Sequence, residues 1–369
     1  MTSSTSLDKS GPAVTADEVW RLTERLFSVY RSLMGSGYRE SLDLIGQIIP
    51  LEIVRVPSGT QCGSWTVPQE WRVSRARLET AGGEVLADFD RDPMSLWHYS
   101  GPFQGTVMRQ ELENHVRTTP ECPQARPHVV GYYSDTWGFS LSHQSWSEVD
   151  EQKFKVGIDA KFVPGDLLVG QVLLPGERPE EIVLDAVLNC PALANNLTGP
   201  VILAFLARHL KALDTRRYTY RILFTPETIG PIALFHATDC LSGPVVGGYT
   251  LSNLGDGAGF HYRQSREGST VADRAMAYAL RHSDADHVVS EFDVRTGSAG
   301  NEKAYNSLGM EIPIGAIRRS PLGSYPEYDT SADDLSLIAI EQVMQSLELL
   351  QSAVAAIEAR EIYKNCFVG

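Results

Sequence analysis

The sequence has no long apolar run, no basic excess and no paired cysteine motif. No hydrophobic stretch approaches the length needed to cross a bilayer, so we expect no membrane partner. Its 32 Lys and Arg residues against 46 Asp and Glu residues give a formal net charge of −14. This charge repels phosphate backbones and argues against a nucleic-acid partner. The five cysteines are scattered without a Cys-x-x-Cys spacing, which is typical of a reduced, cytoplasmic protein.

The amino-terminal segment also lacks the features of a secretory signal. Residues 1–14 are rich in Ser and Thr and contain no apolar core, so we predict a disordered tail. A helix is predicted from Thr15, because Glu18 completes a capping box and apolar residues then recur at helical spacing as far as Leu33. A second helix is predicted over 41–49. The length of 369 residues favours one large domain and one small domain.

Residues 51–127 have a different texture, dominated by Gly, Pro, Trp and short β-favouring runs. Gly82 and Gly83 are typical of a hairpin turn, and one helix is predicted over 108–116. We interpret this segment as a small β-rich domain inserted into a larger domain that comprises residues 15–50 and 128–369.

Strand and helix patterns alternate after residue 128, which predicts an α/β sheet with helices on both faces. The predicted strands are 129–133, 153–160, 168–174, 182–188, 218–224, 245–251, 287–292 and 312–317. The predicted helices are 200–213, 229–237, 270–281 and 335–359.

Four polar loops follow these strands or lie just beyond them. They are Asn-Cys-Pro-Ala-Leu-Ala-Asn-Asn-Leu-Thr-Gly (189–199), Thr-Pro-Glu-Thr (225–228), Gly-Ser-Ala-Gly-Asn-Glu (297–302) and Tyr-Pro-Glu-Tyr-Asp-Thr-Ser (325–331). Ligands of open α/β sheets lie outside the carboxyl ends of the strands. The four loops are therefore predicted to converge on one site.

With these loops the chain resembles the bacterial aminopeptidase-like family of co-catalytic zinc exopeptidases. The resemblance spans roughly residues 37–337 and includes Trp-Thr-Val-Pro-Gln-Glu-Trp (65–71) and Tyr-Tyr-Ser-Asp-Thr-Trp-Gly-Phe (132–139). It implies a zinc-aminopeptidase-like α/β fold with a mixed sheet and an inserted small β-rich domain, and a homo-oligomer is compatible with it. Family members often carry a further winged-helix segment, which we do not expect here because the sequence ends at Gly369.

The residues at the family's metal-binding positions differ from the family pattern. Its first loop reads Cys-His-Pro-Ser-x-Ala-Asn-Asp-Asn-Leu-Ser-Gly, with a metal-binding His and a bridging Asp. Here Cys190 replaces the His, and the Asp is deleted or has become Asn195 or Asn196. Asn301 stands where the third loop has Asp, and Asp329 where the fourth has His. A neutral amide cannot supply the charge of a bridging carboxylate, and the expected imidazole donors are lost. We therefore predict loss of the two-zinc site.

The candidate site residues follow from these loops. The candidate catalytic residues are Glu227, Asp329 and Cys190. The candidate substrate-binding residues are Asn195, Asn196, Asn301, Glu302, Arg319, Tyr325 and Glu327. No cofactor is expected; if a zinc ion is retained, its ligands would be Cys190, Asn196, Glu227 and Asp329.

Simpler roles compete with these assignments. Two interpretations of Glu227 are open. It is a general acid or base whose pKa rises because no cations are nearby, or it is a carboxylate that the dipole of a helix start favours. Cys190 is a nucleophile before a helix N-terminus, or it is a small buried thiol. Arg318 and Arg319 bind a substrate carboxylate or form internal salt bridges.

Three functions remain open from the sequence. The first is a repurposed, metal-independent enzyme of specialised biosynthesis: a hydrolase, acyl transferase or cyclase acting on a small amino-acyl or peptide-like amide. The second is a catalytically inactive paralogue that binds a ligand or partner. The third is a metal-dependent aminopeptidase with unusual ligands.

Overall fold

The computed structural model describes residues 13–191, 193–293, 295 and 300–359. Part of the loop 297–302 therefore lies outside the described residues, as do residues 1–12 of the predicted tail. The α-helices are α1 (Ala16–Phe27), α2 (Ser36–Gly46), α3 (Arg109–Leu112), α4 (His143–Glu148), α5 (Ala194–Ala212), α6 (Ile229–Ala237), α7 (Val271–Arg281), α8 (Asn301–Tyr305) and α9 (Ile340–Glu358). The strands are β1 (Glu52–Pro57), β2 (Gln61–Cys62), β3 (Trp65–Thr66), β4 (Glu70–Thr80), β5 (Val85–Asp88), β6 (Phe103–Met108), β7 (Val116–Arg117), β8 (Phe139–Ser140), β9 (Lys153–Val163), β10 (Asp166–Leu174), β11 (Glu181–Val187), β12 (Thr219–Thr225), β13 (Val245–Leu251), β14 (Phe260–Arg263), β15 (His287–Ser290) and β16 (Gly315–Arg318).

An eight-stranded mixed sheet forms the centre of the fold, in the order β1-β10-β12-β11-β13-β16-β14-β15. Its four central strands, β12, β11, β13 and β16, are mutually parallel. Helices cover both faces. Ile182 and Leu184 of β11 belong to the core shared with α5, whereas Val183 belongs to a core shared with α6 and α8. The predicted α/β class is confirmed.

A separate four-stranded antiparallel sheet, in the order β5-β4-β9-β6, builds a second core. Its strand β9 was predicted to belong to the α/β sheet, but it pairs with β4 and β6. In the first half of β9 alternate residues are buried, as in a strand with one face in water. Conversely β1, predicted inside the β-rich segment, pairs with β10 of the large sheet.

Several predicted elements differ from the structure. Residues 129–133 are not a strand; Val130 forms only an isolated bridge with His98. The first helix ends at Phe27, although Leu33 beyond it is buried. Helix α5 begins six residues before the predicted start, at Ala194. Asp333 makes the early start possible, because its carbonyl and carboxylate accept the N–H groups of Ala194 and Asn195.

No helix among the described residues combines the length and the apolar character that a bilayer crossing requires.

The capping box of α1 is present as predicted. The Thr15 hydroxyl accepts the Glu18 N–H at 3.3 Å, and the Glu18 carboxylate accepts the Thr15 N–H at 3.1 Å. Replacing Thr15 by Ala is expected to lower the free energy of unfolding by about 1 kcal/mol. Urea titration measures the loss as a lower midpoint at unchanged slope. Thr15→Ser keeps the acceptor and serves as control; equal midpoints for the two variants would contradict the capping role.

Candidate active site

A cavity of ≈ 230 Å³ opens at the carboxyl ends of the central parallel strands. Its size suits a ligand smaller than a typical drug molecule. Its lining combines acids, amides and apolar side chains: His128, Val130, Tyr132, Val187, Asn189, Cys190, Leu193, Asn196, Glu227, Ser252, Gly300, Leu322, Tyr328, Asp329 and Asp333. Cys190, Asn196, Glu227 and Asp329, taken from three separate loops, thus share one cavity.

Strand β15, which precedes the loop 297–302, does not end at the cavity as predicted. Strand β15 is parallel to β14, and β14 is antiparallel to β16. The carboxyl end of β15 therefore lies at the edge of the sheet opposite the cavity. Helix α8 nonetheless begins with Asn301 beside the Glu227 turn.

Glu227 stands on a tight turn between β12 and α6. Its backbone N–H donates to Oδ1 of Asn189 at 2.6 Å, and Asn189 Nδ2 donates to the Tyr132 hydroxyl at 3.2 Å. Burial, with the negative charges of Asp329 and Glu302, raises the pKa of Glu227 to about 7. A carboxyl group with this pKa can take up or release a proton at neutral pH.

Asp329 is held by His128, a residue that the sequence analysis missed. His128 Nδ1 lies 2.9 Å from Oδ1 of Asp329, and its backbone N–H donates to the Asp329 carbonyl at 2.7 Å. Nε2 of His128 is buried without a hydrogen-bond partner among the described residues. A carboxylate at Nδ1 fixes the imidazole tautomer and leaves Nε2 as a base. The available sequence signal was its place at the predicted boundary between the two domains, where ligand sites concentrate.

Asp333 is a third acid of the cavity that was not predicted. Besides capping α5, it accepts the Tyr325 hydroxyl at 3.5 Å. Asn195 Nδ2 donates to that hydroxyl at 3.4 Å and to Asp256 at 2.6 Å. Burial raises the pKa of Asp333 to about 7. Asn195 and Tyr325 therefore support the wall of the cavity, and their contact with substrate stays a prediction.

A buried carboxyl group lies behind the turn of Glu227. Asp185 is fully buried in β11 and accepts the hydroxyl of Thr225 at 2.7 Å and the amide of Asn301 at 2.6 Å. Burial outweighs these hydrogen bonds and raises the pKa of Asp185 to about 7. Asn301 also donates to Thr225 at 2.7 Å, and its oxygen accepts the Thr228 N–H at 2.7 Å.

The remaining predicted substrate-binding residues lie in different surroundings. Glu302 is buried and accepts Arg318 at 2.7 Å, so Arg318 forms the predicted internal salt bridge. The Arg319 guanidinium donates to Ser346, Gln345 and backbone carbonyls and lies over Phe260. Glu327 is half-buried in the loop before Asp329. None of Glu302, Arg319 and Glu327 is among the lining residues, and their binding of substrate stays a prediction.

Cys190 is a buried thiol in the cavity wall. Burial and the negative charges of Glu227 and Asp329 raise its pKa well above the ordinary value, the opposite of what a thiolate nucleophile requires. Its apolar neighbours are Met94, Val187 and Leu193. The geometry favours the alternative of a small buried thiol, and nucleophilic attack by Cys190 stays an untested prediction.

The donor atoms at the metal positions do not fit a two-zinc site. The Asn301 amide is engaged on both sides by protein partners, and Asn196 is a neutral amide that cannot supply the charge of a bridging carboxylate. Within the described ranges there is no group of three or more His, Cys, Asp and Glu side chains placed to hold an ion. Asp329 instead contacts His128, and Asp333 accepts the backbone N–H of Asn195.

Comparison with known proteins agrees with the fold. Residues 20–360 match the family model described as a domain of unknown function, DUF4910. A Clostridium acetobutylicum protein, named for polysaccharide biosynthesis and for an aminopeptidase-like domain, is 32% identical over 352 residues, which are 95% of this chain and 80% of that protein.

Two solved structures are similar over nearly the whole chain. A Clostridium acetobutylicum crystal structure described as a peptidase is 31% identical with a TM-score of 0.86, covering 93% of this chain and 80% of that one. A zinc aminopeptidase from Bacillus subtilis has a TM-score of 0.70 at 12% identity, covering 95% and 97%. The latter supports the fold alone. The chain therefore belongs to the DUF4910 family of aminopeptidase-like proteins.

Proposed function

We propose that the protein is a metal-independent enzyme that processes a small amino-acyl or peptide-like amide, with Glu227 as the general acid and base. The observation that carries the proposal is the Glu227 carboxyl in the cavity, at the carboxyl end of β12, with its pKa raised to about 7. This value matches the operating pH of a proton-transfer catalyst.

The charge of the cavity supports a substrate with an ammonium group. Glu227, Asp329 and Asp333 all line it, and burial raises the pKa of Glu227 and that of Asp333 to about 7. A bound cation would stabilise the charged form of these acids. The α-ammonium group of an amino-acyl compound has this charge, and the apolar lining residues suit its side chain. These residues are Val130, Val187, Leu193 and Leu322.

The reaction needs one proton shuttle. Glu227 takes a proton from the attacking nucleophile, which forms a bond to the amide carbon, and returns it to the nitrogen as the C–N bond breaks. The nucleophile is water in hydrolysis, a second molecule in acyl transfer and the substrate itself in cyclisation. His128, oriented by Asp329, is a second base in the same cavity. The polysaccharide-biosynthesis name of the Clostridium acetobutylicum relative supports a biosynthetic setting.

Turnover in the presence of a chelator tests the proposal. The purified protein is incubated with a panel of proteinogenic amino-acid amides and aminoacyl p-nitroanilides, with EDTA or with added zinc, and products are detected by mass spectrometry. We expect at least one amide to be consumed at the same rate in both conditions. Zinc-dependent, EDTA-sensitive cleavage would instead indicate a metal aminopeptidase. Tight binding of an amide without turnover would indicate an inactive binding protein, and either result would overturn the proposal.

A further inference from the structure

The turn that carries Glu227 has an unfavourable backbone conformation. Thr228 has φ 62° and ψ −64°, and the Ile229 N–H donates to the Glu227 carbonyl at 2.7 Å. This is the rare γ-turn with a positive φ at its central residue. For a β-branched residue such a conformation costs about 1–3 kcal/mol and persists only where the surroundings hold it.

Two asparagine side chains accept successive backbone N–H groups of this turn. Asn189 Oδ1 accepts the Glu227 N–H at 2.6 Å, and Asn301 Oδ1 accepts the Thr228 N–H at 2.7 Å. Each amide also donates from Nδ2, Asn189 to Tyr132 and Asn301 to Asp185 and Thr225. Asn301 therefore connects the turn to β11 and β12, and Asn189 connects it to the Tyr132 hydroxyl.

An amide is complementary to both neighbours of position 301. Asn301 Nδ2 lies 2.6 Å from Oδ2 of Asp185. An aspartate, the residue that the family resemblance implies here, would place two carboxyl groups at this distance. The contact would be repulsive once both were ionised, which happens above about pH 7 where Asp185 loses its proton. The amide instead donates to one carboxyl group and accepts a backbone N–H, which is complementary on both sides.

We propose that Asn189 and Asn301 are positioning residues, an amide clamp that holds the Glu227 turn in its strained geometry without metal ions. The clamp directs the Glu227 carboxyl into the cavity. Without the clamp, the turn would relax from its strained conformation. Its catalytic consequence rests on the function proposed above, but its structural part does not.

Amide hydrogen exchange resolved to single residues tests the clamp directly. Asn189→Ala should speed exchange of the Glu227 amide by about tenfold, and Asn301→Ala that of the Thr228 amide, as expected for loss of one hydrogen bond to each. Asn306→Ala is the matched control. Asn306 is buried at the end of α8 and accepts the Arg266 N–H at 3.0 Å, so this variant should speed exchange of Arg266 and leave the Glu227 turn unchanged.

The outcomes separate the clamp from the proposed function. Unchanged amide exchange at Glu227 and Thr228 in the two clamp variants would overturn the clamp. Equal acceleration of exchange at all three amides in all three variants would also overturn it. Serine variants repeat the measurement if an alanine variant fails to fold. With an amide that the wild type consumes, kcat should fall at least tenfold at similar KM in both clamp variants but not in Asn306→Ala. Local exchange changes with unaltered kcat would overturn the positioning role. A wild type without turnover would refute only the proposed function.

Discussion

Replacing Glu227 by Gln is expected to lower kcat on any amide that the protein consumes by about 10²–10⁴-fold, the usual contribution of a general acid or base. The substituted glutamine keeps the size of the side chain and the backbone contact to Asn189, but it cannot exchange a proton. Initial rates of wild type and variant over a pH series provide the measurement.

The pH profile distinguishes lost proton transfer from lost binding. Burial and nearby negative charge raise the pKa of Glu227 to about 7. Because Glu227 acts first as a base in the proposed reaction, the wild-type kcat/KM should rise with pH through about 7 and level off above it. The variant should lack this limb.

Glu180→Gln is the matched control for this substitution. Glu180 precedes β11 at its amino end and pairs with Arg178 at 2.9 Å on the far side of the sheet. The wild-type rate and profile are expected for it. A Glu227→Gln variant with the wild-type rate and limb would remove Glu227 from the mechanism.

Asp185→Asn is expected to flatten the dependence of stability on pH. Burial raises the Asp185 pKa from 3.8 to about 7, so between these values the folded protein holds a proton that the unfolded chain has released. Its contribution to stability is complete below pH 4 and is lost as pH rises through 7. The shift corresponds to roughly 4 kcal/mol at most.

The groups that face Asp185 make this effect attributable to it. Thr225 and Asn301 donate to its carboxylate, the negative charge of Glu302 opposes its ionisation, and the buried hydroxyls of Tyr38 and Tyr305 lie near it. An asparagine in place of Asp185 could accept from Asn301 and donate to Thr225 without carrying a charge.

Urea titrations from pH 4 to pH 8 measure the effect. Relative to wild type, the variant should gain stability as pH rises, by up to roughly 4 kcal/mol across this range. Asp17→Asn, on the exposed face of α1, should run parallel to wild type. Parallel curves for Asp185→Asn as well would show that Asp185 is ionised in the folded protein at these pH values.

Local sequence patterns predicted most strands of the large sheet, but they did not predict the direction of β15. Strands β10 to β13 lie where apolar runs are bounded by turn residues, because burial of both faces leaves a continuous apolar signature. Nothing in the sequence shows that β15 runs against the central strands. Direction depends on pairing with β14, and that pairing joins segments about 27 residues apart.

The candidate site was predicted less completely than the fold. Glu227 and Asp329 stand in recognisable loops, and both line the cavity. His128 was missed because its partner Asp329 is 201 positions away along the chain. Arg318 ends β16 and Arg319 follows it directly, yet Arg318 pairs with Glu302 and Arg319 packs on Phe260.

Residue types and their spacing decided the alternation of strands and helices and the acidic charge, and the family resemblance implied that amides, a thiol and Asp329 stand at the family's metal positions. The tertiary structure decided what those replacements do. Whether an asparagine oxygen meets a metal or a backbone N–H, and whether a carboxyl group holds its proton near neutral pH, depends on burial and on neighbours from distant parts of the chain. Those neighbours come together only when the central strands pair.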